Sequence, residues 1–278
     1  MKCFKAYLES LTILCGIFLL LGLSSCEEVI EPSLITAAPV LVVEGEVSNL
    51  PRNSRIRLTE TTAFNDPNPN PKVMGANVSL VNSGGFVSSF KEVAPGEYMP
   101  LDSTFVGLPG ELYSLRINTE NNEEYQGVSR MPSPLPIDSV TYEYDSTNIY
   151  AGNPPYYVYY HYQDPVGPNY HLVEIWVNGD AAEGNRFEIR SDENVRGKYL
   201  RLELPQLFHP SDTVKIQLQT INSNVFRYYE GLNSLIESGS PSEAVPENPN
   251  NNISGDAPAL GIFQASYTEE FEVILPER

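Results

Sequence analysis

The side chains equipped for chemistry in this sequence fall into four groups: three histidines, a large stock of carboxylates, an aromatic run, and a cysteine behind two serines. His161, His171 and His209 have no Cys, Asp or Glu partner at a metal-ligand spacing, so no metal site is expected. His161 and His171 flank the turn "QDPVGPNY" and would approach each other if the strands on either side formed a hairpin. The carboxylates are too numerous to single out a pair. Glycoside hydrolysis needs two at a defined separation across a cleft, and spacing along the chain does not show that. No G-x-S-x-G elbow, H-E-x-x-H, P-loop or dinucleotide fingerprint occurs. The expectation is a protein with no catalytic residues and no cofactor, and not an enzyme.

The aromatic segment "PPYYVYYHYQDP", read as a strand, puts Tyr156, Val158, Tyr160 and Tyr162 on one face and Tyr157, Tyr159 and His161 on the other. In the strand that follows, Val173, Ile175 and Val177 are uniformly apolar, whereas Leu172, Glu174 and Trp176 are mixed. Pairing the two strands with their apolar sets toward the core leaves Tyr157, Tyr159, His161 and Trp176 on the wetter face. Exposed aromatics of this kind stack on sugars or anchor a protein partner. These four are the expected contact residues for an unknown ligand, although cross-strand aromatic pairs also stabilise sheets that bind nothing.

Cys26 points to a different chemistry. The basic start Met1-Lys2-Cys3-Phe4-Lys5 and the apolar run from Leu11 to Leu23 have the layout of a secretory signal peptide. The run is shorter than the roughly 20 apolar residues that span a bilayer. It ends in Leu23-Ser24-Ser25-Cys26, which resembles a bacterial lipobox: an aliphatic residue, two small residues that the peptidase admits, and a thiol lipidated before cleavage. Residues 1–25 are thus expected to be a lipoprotein signal peptide, Cys26 the lipid attachment, and residues 26–38 a tether. The other two cysteines, Cys3 and Cys15, precede the cleavage point, so the mature chain has no second thiol for a disulfide. A diacylglyceryl group supplies the two chains that stable anchoring requires, at about 0.8 kcal/mol per buried methylene.

Seventeen basic residues stand against 36 acidic ones, a formal charge of −19. That field repels the phosphate backbone of nucleic acid and the surface of anionic lipid, so the lipid itself is the expected link to a membrane.

The elements that must hold these residues read as strands. From residue 39 to 130 seven short segments rich in Val, Ile, Leu and Tyr are bounded by Gly, Pro, Asn and Asp, the pattern of a β-sandwich. "MPSPLPIDS", residues 131–139, interrupts the rhythm with three prolines and marks the expected boundary with a second β-rich domain, residues 131–278. Within it Val225, Phe226, Tyr229, Leu232 and Ile236 recur at helical spacing, with Ser223 or Asn224 as cap. The fold class expected is mainly β, with one amphipathic helix over about residues 224–238.

Several stretches taken in order carry a resemblance: "SSCEEVIE", "LVVEGEVSN", "VMGANVSLVNSGG", "PGEYMP" with "GLPGELYSLRI", "PIDSVTYEY", "DPVGPNYHLVEIWVNG" and "NNISGDAPALGIFQA". Together they resemble a lipoprotein family of Bacteroidota described as domain of unknown function 4249. The N-terminal half is also similar to the transthyretin-like and carboxypeptidase-regulatory sandwiches found in surface proteins, which implies an Ig-like or transthyretin-like β-sandwich there. Members of the family are commonly encoded beside TonB-dependent receptors. The resemblance therefore implies an outer-membrane, lipid-anchored protein on the cell-surface face, acting as a non-enzymatic accessory or ligand-capture partner of such a receptor. Glu27 and Glu28, directly after Cys26, match in part the acidic export signal of such lipoproteins. A structural or adhesive surface module and a glycan-processing enzyme are the alternatives.

Overall fold

Alternation of apolar and polar side chains builds nearly all of this molecule. The computed structural model describes residues 38–277 other than 64–65, 67–69, 148–154, 183–185, 194–195 and 238–247. The first half runs β1 (Leu41–Ser48), β2 (Arg55–Glu60), β3 (Asn77–Asn82), β4 (Val87–Ala94), β5 (Glu97–Pro100), β6 (Leu112–Asn118) and β7 (Glu124–Arg130). The second half runs β8 (Ser139–Tyr144), β9 (Tyr156–Gln163), β10 (Tyr170–Val177), β11 (Asp180–Ala181), β12 (Glu188–Ser191), β13 (Tyr199–Glu203) and β14 (Thr213–Ile221). The helix α1 (Ser223–Glu237) and the strands β15 (Ile253–Gly255) and β16 (Ala259–Ile274) follow. Strand β7 shows the rule plainly: Tyr125, Gly127 and Ser129 point inward while Glu124, Gln126, Val128 and Arg130 are exposed.

Two sheets result, and the fold is mainly β with a sandwich-like arrangement. The large one runs β11-β10-β14-β16-β1-β2-β5-β4-β3-β6-β7-β15, with β12 on β10; the small one is β13-β9-β8. The long strand β16 belongs to both halves. Its first eight residues pair in parallel with β1, Leu41 opposite Ala259 through Ser48 opposite Ser266, and Tyr267–Ile274 pair antiparallel with β14. Gly261 makes this junction possible: its φ is +102°, and a Cβ there would lie 2.0 Å from the carbonyl oxygen of Val43.

The two halves have separate cores on the same side of β16. Val43, Ile56, Leu58, Leu80, Leu115 and Ile117 pack with Phe263 and Ala265 in the first. The sheet curls around them until its far end returns to β16, where Ser129 Oγ accepts from Ala265 N and Asn252 Oδ1 from Phe263 N. In the second core Val158, Tyr160 and Tyr162 of the small sheet face Val173, Ile175, Val214, Ile216 and Leu218 of the large one. The chain passes between cores in the proline-rich stretch, since Met131 is buried in the first and Leu135 in the second. The closing segment, read from sequence as part of the second region, divides between them: Ile253, Phe263 and Ala265 lie in the first core and Leu275 in the second. Residues Ala38–Arg278 accordingly form one compact unit.

One strand pairing differs from the expected hairpin. Strand β9 pairs with β8 and β13, and β10 with β11, β12 and β14, so β9 and β10 face each other across the second core. The six-residue turn with Pro165 and Pro168 carries the chain from one sheet to the other instead of folding it back in register.

Candidate functional site

The outer face of the large sheet, away from both cores, carries a band of polar side chains dictated by the same alternation. Wherever Val173, Val214, Phe263 or Val47 points inward, its neighbours point out. The outward set is Glu174 and Trp176 on β10, Gln217 and Gln219 on β14, Gln264, Ser266 and Thr268 on β16, Glu46 on β1, and Arg55 and Arg57 on β2. Register brings members of the band together across strands, Glu174 opposite Gln217, Gln219 opposite Thr268, Gln264 opposite Glu46, and Glu46 opposite Arg55.

Helix α1 covers one end of this face. Asn222 caps it, its Oδ1 accepting from the backbone N–H of Asn224 and Val225 at 3.0 and 3.1 Å. The cap is therefore Asn222, and not the Ser223 or Asn224 expected from sequence. Val225, fully buried, packs with Leu172, Ile221 and Ile262, while Phe226, Tyr228 and Tyr229 fill in around them. Ile236, at helical spacing from Tyr229, is instead 46% exposed. Asn233 fastens the loop before β12 to the helix, accepting from Phe187 N at 2.7 Å and donating to Phe187 O at 2.8 Å.

Beside the helix lies a cleft of about 360 Å³. Its wall holds Glu46, Glu174, Gln217, Gln219, Gln264, Thr268, Tyr229 and Trp176 together with Arg52, Asn53, Arg55, Arg57 and Glu97. The hollow continues under α1, with Glu46, Arg55, Arg57, Tyr229 and Gln264 common to both parts. A hydrogen-bonded chain fixes the floor. Tyr229 Oη donates to Gln264 Oε1 at 3.2 Å, Gln264 Nε2 to Gln219 Oε1 at 3.5 Å, and Gln219 Nε2 to Glu174 Oε2 at 2.7 Å. Ser266 Oγ donates to Glu46 Oε1 at 3.1 Å.

Burial raises the carboxyl pKa of both Glu46 and Glu174 above the usual range, and the Glu174 charge adds to the effect at Glu46. Their hydrogen-bond donors and the Arg55 guanidinium pull the other way. Burial likewise raises the Tyr229 phenol. Arg57 is held by Glu44 at 3.5 Å and Glu97 at 3.4 Å. The arrangement is a polar hollow lined by carboxylates, carboxamides and guanidinium groups, its floor fixed by hydrogen bonds.

The residues singled out from sequence do not come together. Tyr157, Tyr159 and His161 lie half-buried on the outer face of the small sheet, where the Arg201 guanidinium sits 3.6 Å from the Tyr159 ring centre and His161 Nε2 is 2.7 Å from Thr141 Oγ1. Trp176 is on the opposite outer face, in the cleft wall, with Lys215 Nζ 5.7 Å from its ring centre. The expectation of one shared aromatic face is corrected by the pairing of β9 and β10 with different sheets. His161 and His171 are likewise apart: His171 is buried in the second core, its Nε2 3.4 Å from Tyr160 Oη. Cys26, Glu27 and Glu28 lie outside the described residues.

Sequence reasoning missed Glu46, Glu174 and the glutamines as site residues. Their only signal is a polar residue at every second position, which any solvated sheet face shows; the helix laid across that face is what makes it concave. Among the described residues no group of three or more His, Cys, Asp or Glu could hold a metal ion, and no helix is long and apolar enough to cross a membrane. No curated protein matches the chain. The family model described as "Domain of unknown function (DUF4249)" matches residues 27–272, and the chain belongs to that family.

Proposed function

We propose that this protein is an outer-membrane lipoprotein, anchored through Cys26 and displayed on the cell-surface face, that serves a TonB-dependent receptor as a ligand-capture accessory. The observation that carries the reading is the cleft beside α1: preformed, polar, rimmed by Trp176 and of a size, about 360 Å³, that small ligands occupy. The lipobox Leu23-Ser24-Ser25-Cys26 supports the anchoring. Two acyl chains keep the folded part within reach of a barrel in the same membrane, which raises its effective concentration there without any new contact.

The test is co-purification from native membranes in mild detergent. The reading expects a TonB-dependent receptor to be isolated with the full chain. Repeated recovery of the intact, lipidated protein with no barrel partner contradicts it.

One second reading has a specific observation behind it. Acid–base cleavage of a glycosidic bond uses a carboxyl held toward its neutral form and a second carboxylate across a cleft, and the cleft wall holds two carboxyls whose pKa burial raises, Glu46 and Glu174. A glycan-processing enzyme would release reducing ends from a polysaccharide, and Glu46→Gln or Glu174→Gln would abolish the release; no turnover on a broad panel removes this reading.

A further inference from the structure

We propose that the cleft beside α1 is a carbohydrate site that takes an uncharged glycan, with Trp176 as its stacking platform. This rests on the ligand-capture reading above and adds to it the chemical class of the ligand.

Charge decides the first step. The chain as a whole carries −19, yet the cleft wall sets Arg52, Arg55 and Arg57 against Glu46, Glu97 and Glu174. The wall is formally neutral. With all six groups ionised, a phosphate or an ammonium group entering it meets as many like charges as opposite ones, so the wall by itself selects neither sign.

Hydrogen bonding decides the second. Apart from Ile56 and Met99, every side chain in the wall carries a donor, an acceptor or both. A greasy ligand would strip water from these groups and leave them unpaired, at about 1–3 kcal/mol each. A sugar hydroxyl is both donor and acceptor. It suits a wall in which carboxylates accept, guanidinium groups donate and carboxamides do both. Glu174 is placed for this: Gln219 holds its Oε2, and its Oε1 accepts no hydrogen bond from the described residues.

Preorganisation decides the third. Gln219 and Gln264 are each 5% exposed and locked in the Tyr229–Gln264–Gln219–Glu174 chain, so the floor needs no ordering when a ligand arrives. Trp176 offers an apolar ring against which the C–H face of a pyranose stacks while its hydroxyls reach the polar wall.

Trp176 is the single tryptophan of the chain, so indole emission reports on this cleft alone. The purified full chain in mild detergent is titrated with maltohexaose, cellohexaose, xylohexaose and mannohexaose, and with oligogalacturonate and chitosan oligomers as charged counterparts. The expected result is a saturable emission change with at least one neutral oligosaccharide. Glu174→Gln, by emission, and Trp176→Ala, by calorimetry, should each bind it about tenfold or more weakly. Three results overturn the proposal: none of the neutral sugars binds, a charged oligomer binds more tightly than all of them, or both variants bind like the wild type. If glycan binding fails while the receptor still co-purifies, the ligand class falls and the accessory role stands. If the glycan binds and no receptor is recovered, the site stands and the accessory role falls.

Discussion

At the scale of single residues, pH acts on the fold through His171. Its side chain is 1% exposed, against the rings of Tyr160 and Tyr162 and near the Arg190 charge. Burial first, and the guanidinium second, push its pKa down to about 3. In the unfolded chain it returns to about 6.5. A depressed base contributes stability that is complete above the unfolded value and is lost as pH falls toward the folded one. Stability should therefore fall by about 1.4 kcal/mol per pH unit below about 6.5 as far as this residue is concerned. Denaturant midpoints measured across this range should show a flattened acid limb in His171→Gln. Glu46 and Glu174 have the opposite sign: their carboxyl pKa values are raised in the fold, so protonation favours the folded state as pH falls through those values. Replacing both with Gln should steepen the acid limb, and an unchanged limb would mean that neither carboxyl is as buried as the fold implies. Of the site itself, only Trp176 was legible in the sequence, because an aromatic on a mixed face stands out; a Glu or Gln at an outward strand position does not.

At the scale of elements, two junctions hold the site together. Asn222 caps α1 and also donates to Ser129 Oγ at 2.9 Å, tying the helix start to the first core. Asn222→Ala should lower unfolding stability by about 1–2 kcal/mol, and Asn222→Asp, which keeps the capping acceptor, should recover part of that loss in the same denaturation measurement. Gly261 is the second junction. An alanine there must adopt φ near +102° and approach the Val43 carbonyl, so Gly261→Ala should cost at least about 2 kcal/mol; a melting temperature equal to wild type would contradict the β1–β16 pairing. Most elements were legible, since period-two alternation marks the strands and i, i+3, i+4 spacing marks α1, observed at Ser223–Glu237 against an expected 224–238. Pairing was not. Whether β9 turns back on β10 or crosses to another sheet depends on long-range packing of Tyr160 and Tyr162 against Ile175 and Ile216, which local pattern does not encode.

At the scale of the whole molecule, β16 makes the two cores one cooperative system. Phe263 and Ala265 serve the first core and Phe271 and Val273 line the second, all on one strand. Unfolding followed by tyrosine and by Trp176 emission should coincide in a single transition; two separated transitions would show that the cores fold independently. The shared strand also explains the position of the cleft. The large sheet is continuous from β10 to β2, so Glu174 and Arg55, far apart in sequence, stand on one rigid face under one helix. The most direct test of this account is a crystal structure of the full chain soaked with the neutral oligosaccharide that binds best. Sugar density is expected against Trp176, with hydroxyls on Glu174 and the neighbouring carboxamides. Density against Tyr157, Tyr159 and His161 on the opposite face, with the cleft beside α1 empty, would contradict it.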